Sequence, residues 1–162
     1  MKQPHFQLSQ TSQTRLQGVH PDLINVVEQA LRATKIDFMV GEGIRSFARQ
    51  KELVQNKKSH TLKSRHLTGH AVDLWLLPNN KITWDAAAYC TLANTMKQAA
   101  EELNIPLQWG GVWDRKLSDL SDDMEKETEL YRQRRAQQGK TAFFDGPHFQ
   151  LPWSDYPQEQ SA

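Results

Sequence analysis

Cysteine is nearly missing from this 162-residue chain. Cys90 stands alone, so no intrachain disulfide can form and a metal site built on several thiolates is excluded. No apolar run approaches the roughly 18 residues that a membrane span needs. Charge of one sign is not in excess either: 20 Lys+Arg face 19 Asp+Glu, for a net charge of +1. That balance removes the basic surface on which phosphate-backbone binding depends and excludes nucleic acid as the expected partner. The opening Met1-Lys2-Gln3-Pro4-His5-Phe6-Gln7 lacks the apolar stretch of a secretory signal. The expectation is a soluble, monomeric protein that is cytoplasmic on synthesis and makes no stable membrane association. Five Trp, six Phe and a hydrophobic content of 38% supply a core that needs no covalent staples.

Neither an internal repeat nor a linker divides the chain, and its length suits one domain. Residues 1–18 are rich in Gln, Ser and Thr and read as a flexible leader, ahead of a domain over 19–155 and a tail over 156–162. His20-Pro21-Asp22 opens a helix, with Pro suited to the first helical position and Asp to the positive end of the dipole. Leu23, Val26, Val27, Ala30 and Leu31 repeat at helical spacing along one face. Asp37-Phe38-Met39-Val40 reads as a strand ending at Gly41, and Ser46 caps a second helix to about Asn56. His70 to Leu77 is a strand apolar enough to be covered on both faces, followed by a turn at Pro78-Asn79-Asn80. Thr83 is placed as the cap of the longest helix, in which Cys90 is a small buried hydrophobe. Leu107-Gln108-Trp109 and His148-Phe149-Gln150-Leu151 complete the strands, and Phe143-Phe144 are assigned to the core.

Residues 114–140 differ in character, holding seven acidic and seven basic side chains with acids mostly first and bases mostly last. From Ser121 as cap to Gly139 as stop, this order follows a helix dipole. Leu117, Leu120, Met124 and Tyr131 would share one face. Two readings stay open for this inserted charged helix at about 117–138: a surface helix packed by its apolar stripe, or a lid over a substrate groove.

Chemistry concentrates in histidines and carboxylates. Zinc is bound by imidazole nitrogen and carboxylate oxygen at about 2.0–2.2 Å, and a catalytic site keeps one position open, so three protein ligands are the minimum. His66 and Asp73 stand seven residues apart, one on a loop and one on a strand. Alternation puts Ala71 and Asp73 on one face and Val72 and Leu74 on the other. An ionised Asp in so apolar a strand costs several kcal/mol unless neutralised, and a cation is the simplest partner. His148 opens another strand, after the turn Asp145-Gly146-Pro147, and two strand ends can converge across a sheet. Asp145 would then stand beside a metal without binding it, where a general base belongs. His70 competes for a ligand position by its i, i+4 spacing from His66. Gly69 and the following β-type run disfavour the helix this would need, and strand alternation turns His70 away. His5, His20 and His60 read as solvent-exposed.

Ser64-x-His66-x2-Gly69-x-Ala71-x-Asp73 with a distal Asp145-x2-His148 resembles the zinc peptidases of the D-Ala-D-Ala carboxypeptidase/VanY type. The nearest likeness is to L-alanyl-D-glutamate endopeptidases that serve as phage endolysins. Gly18-Val19-His20-Pro21-Asp22-Leu23, Glu42-Gly43-Ile44-Arg45-Ser46 and Trp109-Gly110-Gly111-x-Trp113 add to the match, which spans about residues 14–113 and 141–152. The resemblance implies an α+β fold, with a small, mainly antiparallel central sheet and flanking helices, as in the D-Ala-D-Ala carboxypeptidase/hedgehog-like zinc peptidases. It implies one Zn²⁺ per chain held by His66, Asp73 and His148, with Asp145 as general base. It assigns Arg45 to charge stabilisation on the substrate or transition state, and Ser64 to the support of the metal loop and the substrate site. Arg45 reads equally as a structural bridge to a carboxylate, and Trp109 and Trp113 as core residues or groove walls. The 114–140 insertion departs from compact relatives.

The implied activity is hydrolysis of an amide in the peptidoglycan stem peptide, at L-Ala–D-Glu, by a lysis enzyme that reaches the wall through a separate membrane pore. Two alternatives remain at this point. A D,D-carboxypeptidase or dipeptidase would add a cationic pocket for a terminal carboxylate. A non-catalytic wall-binding or phage structural module would close the metal with a fourth protein ligand.

Overall fold

β1 (Phe38–Glu42), β2 (Ala71–Leu76), β3 (Gln108–Trp109), β4 (Val112–Lys116) and β5 (His148–Gln150) form one antiparallel sheet in the spatial order β1-β2-β5-β3-β4. In the computed structural model, residues 6–59, 61 and 63–157 are described. His5 and His60, read as exposed, therefore lie outside the described residues. The last strand of the chain inserts between β2 and β3, two strands that are consecutive in sequence. This places residues from opposite ends of the domain side by side.

Period-two alternation sorts the sheet into two faces. Val72 and Leu74 on β2, Phe149 on β5 and Trp109 on β3 are fully buried in the core, beneath α2 (Pro21–Ala33) and α4 (Ala86–Glu102). On α2, Leu23, Val26, Val27 and Ala30 are wholly inaccessible, and burying each of the larger side chains contributes roughly 1.5–3 kcal/mol. The opposite face carries Asp73, Trp75, His148, Gln150 and Gln108 and opens to solvent. α3 (Phe47–Gln55) flanks the β1 edge, its N–H of Arg49 donating to the Ser46 cap. No helix among the described residues is long and apolar enough to cross a membrane.

Several sequence expectations need correction. The leader is not loose from residue 6 onward. α1 (Gln10–Arg15) packs on β1, where Val40 N–H donates to Ser12 Oγ at 3.0 Å and Arg15 donates to Val40 O at 3.0 Å. These bonds satisfy the outer backbone groups of an edge strand, which would otherwise invite pairing with another chain. Tyr156 is likewise no tail residue, since its hydroxyl donates to Asp22 at 2.7 Å and its carbonyl accepts from buried Arg65. The cap of α4 is Asp85, which accepts from Ala88 N–H, while Thr83, two residues earlier, accepts from Asp85 N–H. β4 was hidden inside the charged insertion because its outward side chains are polar. His20 is half-buried, and its Nδ1 accepts from Asp22 N–H as the cap of α2.

The inserted helix, α5 (Met124–Gln137), begins later than expected. Asp123 caps it, and Ser121 accepts from Asp123 N–H instead. Leu117, Leu120, Met124 and Tyr131 are all buried as one stripe, although the first two lie in and just after a short 3-10 turn. Arg134 pins the helix to β4 by two bonds to Asp114, at 2.8 and 2.9 Å. The stripe belongs to the hydrophobic core, and Tyr131 and Arg135 of the same helix line the groove described below.

Candidate active site

Asp73 and His148 are register partners on β2 and β5, so antiparallel pairing alone brings them together. His66 reaches them from a 3-10 turn, Arg65–Thr68, that precedes β2. Ser64 caps this turn by accepting from His66 N–H at 3.2 Å, and Gly69 ends it at φ +78°, a left-handed conformation that L side chains rarely adopt. His66 Nε2 lies 3.2 Å and His148 Nδ1 3.4 Å from Asp73 Oδ1. One ligand atom from each of the three residues lies within 4.8 Å of the others.

The far side of each ligand is already committed. His66 Nδ1–H donates to Gly43 O at 2.8 Å, and His148 Nε2–H donates to Gln150 Oε1 at 2.7 Å. Both neutral imidazoles therefore turn a lone pair toward a carboxylate, which is repulsive unless a cation sits between them. Burial acts to raise the Asp73 carboxyl, yet the His66 and His148 charges and hydrogen bonds outweigh it and hold the group well below the usual carboxylate range. Burial acts to lower His148, and its bond to Asp73 more than reverses that, leaving it raised. The donor set fits a zinc ion: two imidazoles and a carboxylate, each with its outer atoms anchored.

Asp73 Oδ2 is held from the other direction by Arg45 at 3.3 Å. Arg45 also donates to Glu42 Oε2 at 2.6 Å, to Glu42 Oε1 at 3.2 Å and to Gln50 Oε1 at 2.7 Å. Its side chain is 7% exposed. The carboxylate-bridge reading of Arg45 thus describes these contacts, and the same guanidinium lines the groove.

Asp145 stands outside the three-residue cluster but lines the same groove. Its N–H donates to Gly110 O at 2.9 Å and its carbonyl accepts from His148 N–H at 3.1 Å. Gly110 permits this close approach, because a Cβ there would lie 2.2 Å from Asp145 O. Burial, then the Asp73 charge, push the Asp145 carboxyl up to about 6. Such a group is ionised at neutral pH and still basic enough to take a proton.

The groove encloses about 880 Å³ and is walled by Trp75, Trp84, Trp113, Tyr131, Phe143 and Lys63, among others. Trp113 lies with its ring 4.9 Å from that of His148 and is stacked on Phe143. Phe143 and Phe144 are 36% and 38% exposed, so neither is the core residue expected. Trp109 is fully buried and donates to Gly146 O at 2.8 Å, beyond reach of a substrate. Ser64 lines the groove as well as capping the metal loop. Glu42, Gln50, Gln108 and Gln150 were missed. Gln150 shares a face with His148 by period two, a signal available in the sequence, whereas the roles of Glu42, Gln50 and Gln108 depend on contacts that only folding creates.

His70 is not a member of the cluster. It is buried beside Thr68, His20 and Tyr156, where burial, then the Arg65 and His20 charges, lower it to about 4. The unfolded chain takes up this proton near pH 6.5 and the folded chain only near 4. Stability from this site is therefore complete above 6.5 and is lost as pH falls through that window, by up to about 3 kcal/mol. In denaturant titrations at neutral pH and near the lower limit, His70→Gln should lose less stability than the unaltered chain. Parallel losses would show that His70 is not the group responsible.

Comparison with known proteins gives a consistent picture. The family model for phage L-alanyl-D-glutamate peptidase matches residues 4–152. The L-alanyl-D-glutamate peptidase of Escherichia phage T5 is 32% identical over 127 residues, which cover 76% of this chain and 92% of that protein. The crystal structure of Serratia marcescens L-Ala D-Glu endopeptidase ChiX is similar with a TM-score of 0.73 at 38% identity, covering 95% of this chain and 96% of that one. With a match of this extent, the chain belongs to the phage L-alanyl-D-glutamate peptidase family.

Proposed function

We propose that this protein is a zinc-dependent peptidoglycan peptidase that hydrolyses the L-Ala–D-Glu amide of the stem peptide, acting as a phage or prophage endolysin. The observation that carries this reading is the convergence of His66, Asp73 and His148, with lone pairs facing inward, in a groove that also holds an uncommitted acid, Asp145. Family membership and the names of its relatives supply the substrate class.

A zinc ion bound by His66, Asp73 and His148 supplies Lewis-acid polarisation of the substrate carbonyl and lowers the pKa of water. The remaining work belongs to the protein. Asp145 accepts a proton from the attacking water and returns it to the leaving amine of D-Glu. Burial raises the Asp145 carboxyl from its ordinary value, which makes it a better proton acceptor than an exposed aspartate. Arg45 holds Asp73 in place and stabilises negative charge developing on the amide oxygen. Lys58, Lys63 and Arg135 line the groove wall and suit a substrate that carries carboxylates, whether at an internal residue or at its end. Trp113, Phe143 and Trp84 offer apolar walls that exclude water from the reacting amide.

The test uses purified sacculi with and without chelator, followed by sequencing of newly released amino ends. New N-terminal D-Glu, abolished by chelator and restored by zinc, is the expected result. Free D-Ala would redirect the assignment to a carboxypeptidase, and absence of any release would leave a wall-binding module.

A further inference from the structure

We propose that Gln150 and Gln108 are positioning residues that lock His148 into the one tautomer able to ligate a metal through Nδ1. The inference rests on the reading of His148 as a ligand, and its starting point is an atom that can only accept. The backbone carbonyl of Trp113 receives Gln108 Nε2–H at 2.5 Å. This orientation turns Gln108 Oε1 toward Gln150, whose Nε2–H donates to it at 3.0 Å. Gln150 Oε1 is thereby left facing His148 Nε2 at 2.7 Å. An amide oxygen has no hydrogen to give, so the imidazole hydrogen must sit on Nε2 and the lone pair on Nδ1.

Either amide alone would be ambiguous, because its oxygen and nitrogen can exchange places. Linked in series to a carbonyl, they are not. Reversing them sets Gln108 Oε1 against the Trp113 carbonyl, oxygen against oxygen, in a region where Gln150 is 7% and His148 5% exposed. Sheet pairing makes the relay possible: Gln108 and Gln150 are register partners on β3 and β5, and Gln150 shares its face with His148.

The other histidine shows the same logic with different parts. His66 donates from Nδ1 to the Gly43 carbonyl at 2.8 Å, a backbone atom that no substitution removes. His148 depends on two side chains, so its tautomer is open to mutation. Loss of such an outer partner typically lowers metal affinity about 10–100-fold.

Two measurements on the whole chain separate the relay from the metal reading. In zinc-free Asp73→Ala protein in alkaline buffer, where imidazole is neutral and no carboxylate from Asp73 faces Nδ1, nitrogen NMR should find His148 protonated on Nε2; protonation on Nδ1 overturns the proposal without reference to zinc. Zinc affinity is then measured by chelator competition. Gln150→Leu should bind zinc about 10–100-fold more weakly, while Gln150→Glu, which keeps an acceptor at Nε2, should stay within a few-fold of the unaltered chain. Equal affinity for all three overturns the relay, as does an equal loss in both variants. Failure of the unaltered chain to bind zinc would count against the metal reading, and the tautomer measurement would still decide the relay.

Discussion

Asp73→Ala should yield a folded chain that no longer retains zinc and no longer cuts peptidoglycan. Asp73 Oδ1 is the hub of the cluster, 3.2 Å from His66 Nε2 and 3.4 Å from His148 Nδ1, and it is the only anion in the set. Without it, two neutral imidazoles remain beside the Arg45 guanidinium, whose bond to Asp73 Oδ2 at 3.3 Å has gone. Arg45 keeps its two bonds to Glu42, but the cluster then offers a divalent ion two neutral ligands and no anion. The loss of zinc affinity should therefore exceed the roughly 100-fold upper range for removing an outer partner of a ligand. Metal content after gel filtration, with chelator competition, measures it. A variant that still carries one zinc per chain would show that Asp73 is not a ligand.

Asp145→Ala should do the reverse, keeping zinc while turnover falls by about 10²–10⁴-fold, the usual worth of a general acid–base group. Asp145 contributes no atom to the three-residue cluster. Its structural bonds use backbone atoms, the N–H to Gly110 O and the carbonyl to His148 N–H, so they survive loss of the carboxyl. Asp145→Asn, similar in shape but without basicity, should lose as much. Rates on a stem-peptide substrate, paired with zinc content, check both variants. Zinc-free Asp145→Ala protein would mean that base and ligand have been confused.

These two residues also show what the sequence offered. His66, Asp73 and His148 were candidates because an acid in an apolar strand demands a counter-charge and a histidine opens a second strand, and the family resemblance singled them out from His70. Arg45 was harder to read. A guanidinium's partners lie wherever the chain folds back, and here Glu42, Gln50 and Asp73 meet it from β1, α3 and β2. Trp109 and Trp113 are four residues apart and equally aromatic, yet one is core and the other faces His148. The turn at Gly110-Gly111 between β3 and β4 separates their fates, and the charged composition of the insertion concealed β4. The caps at Asp85 and Asp123 were displaced by two residues because Thr83 and Ser121 are good caps too, each accepting from the true cap's N–H instead.

From the chain alone, local chemistry marked the candidate cation ligands, most of the helical and extended segments and the apolar helix faces, while α1 and β4 escaped it. Those properties depend on neighbours within a few positions, through side-chain periodicity, turn residues and the cost of an unpaired charge. Only the folded sheet decided that β5 would lie between β2 and β3, and this order places His148 opposite Asp73 and Gln150 opposite Gln108. Strand order is chosen by burial of the whole core, a sum over distant pairs, so no short stretch of sequence contains it.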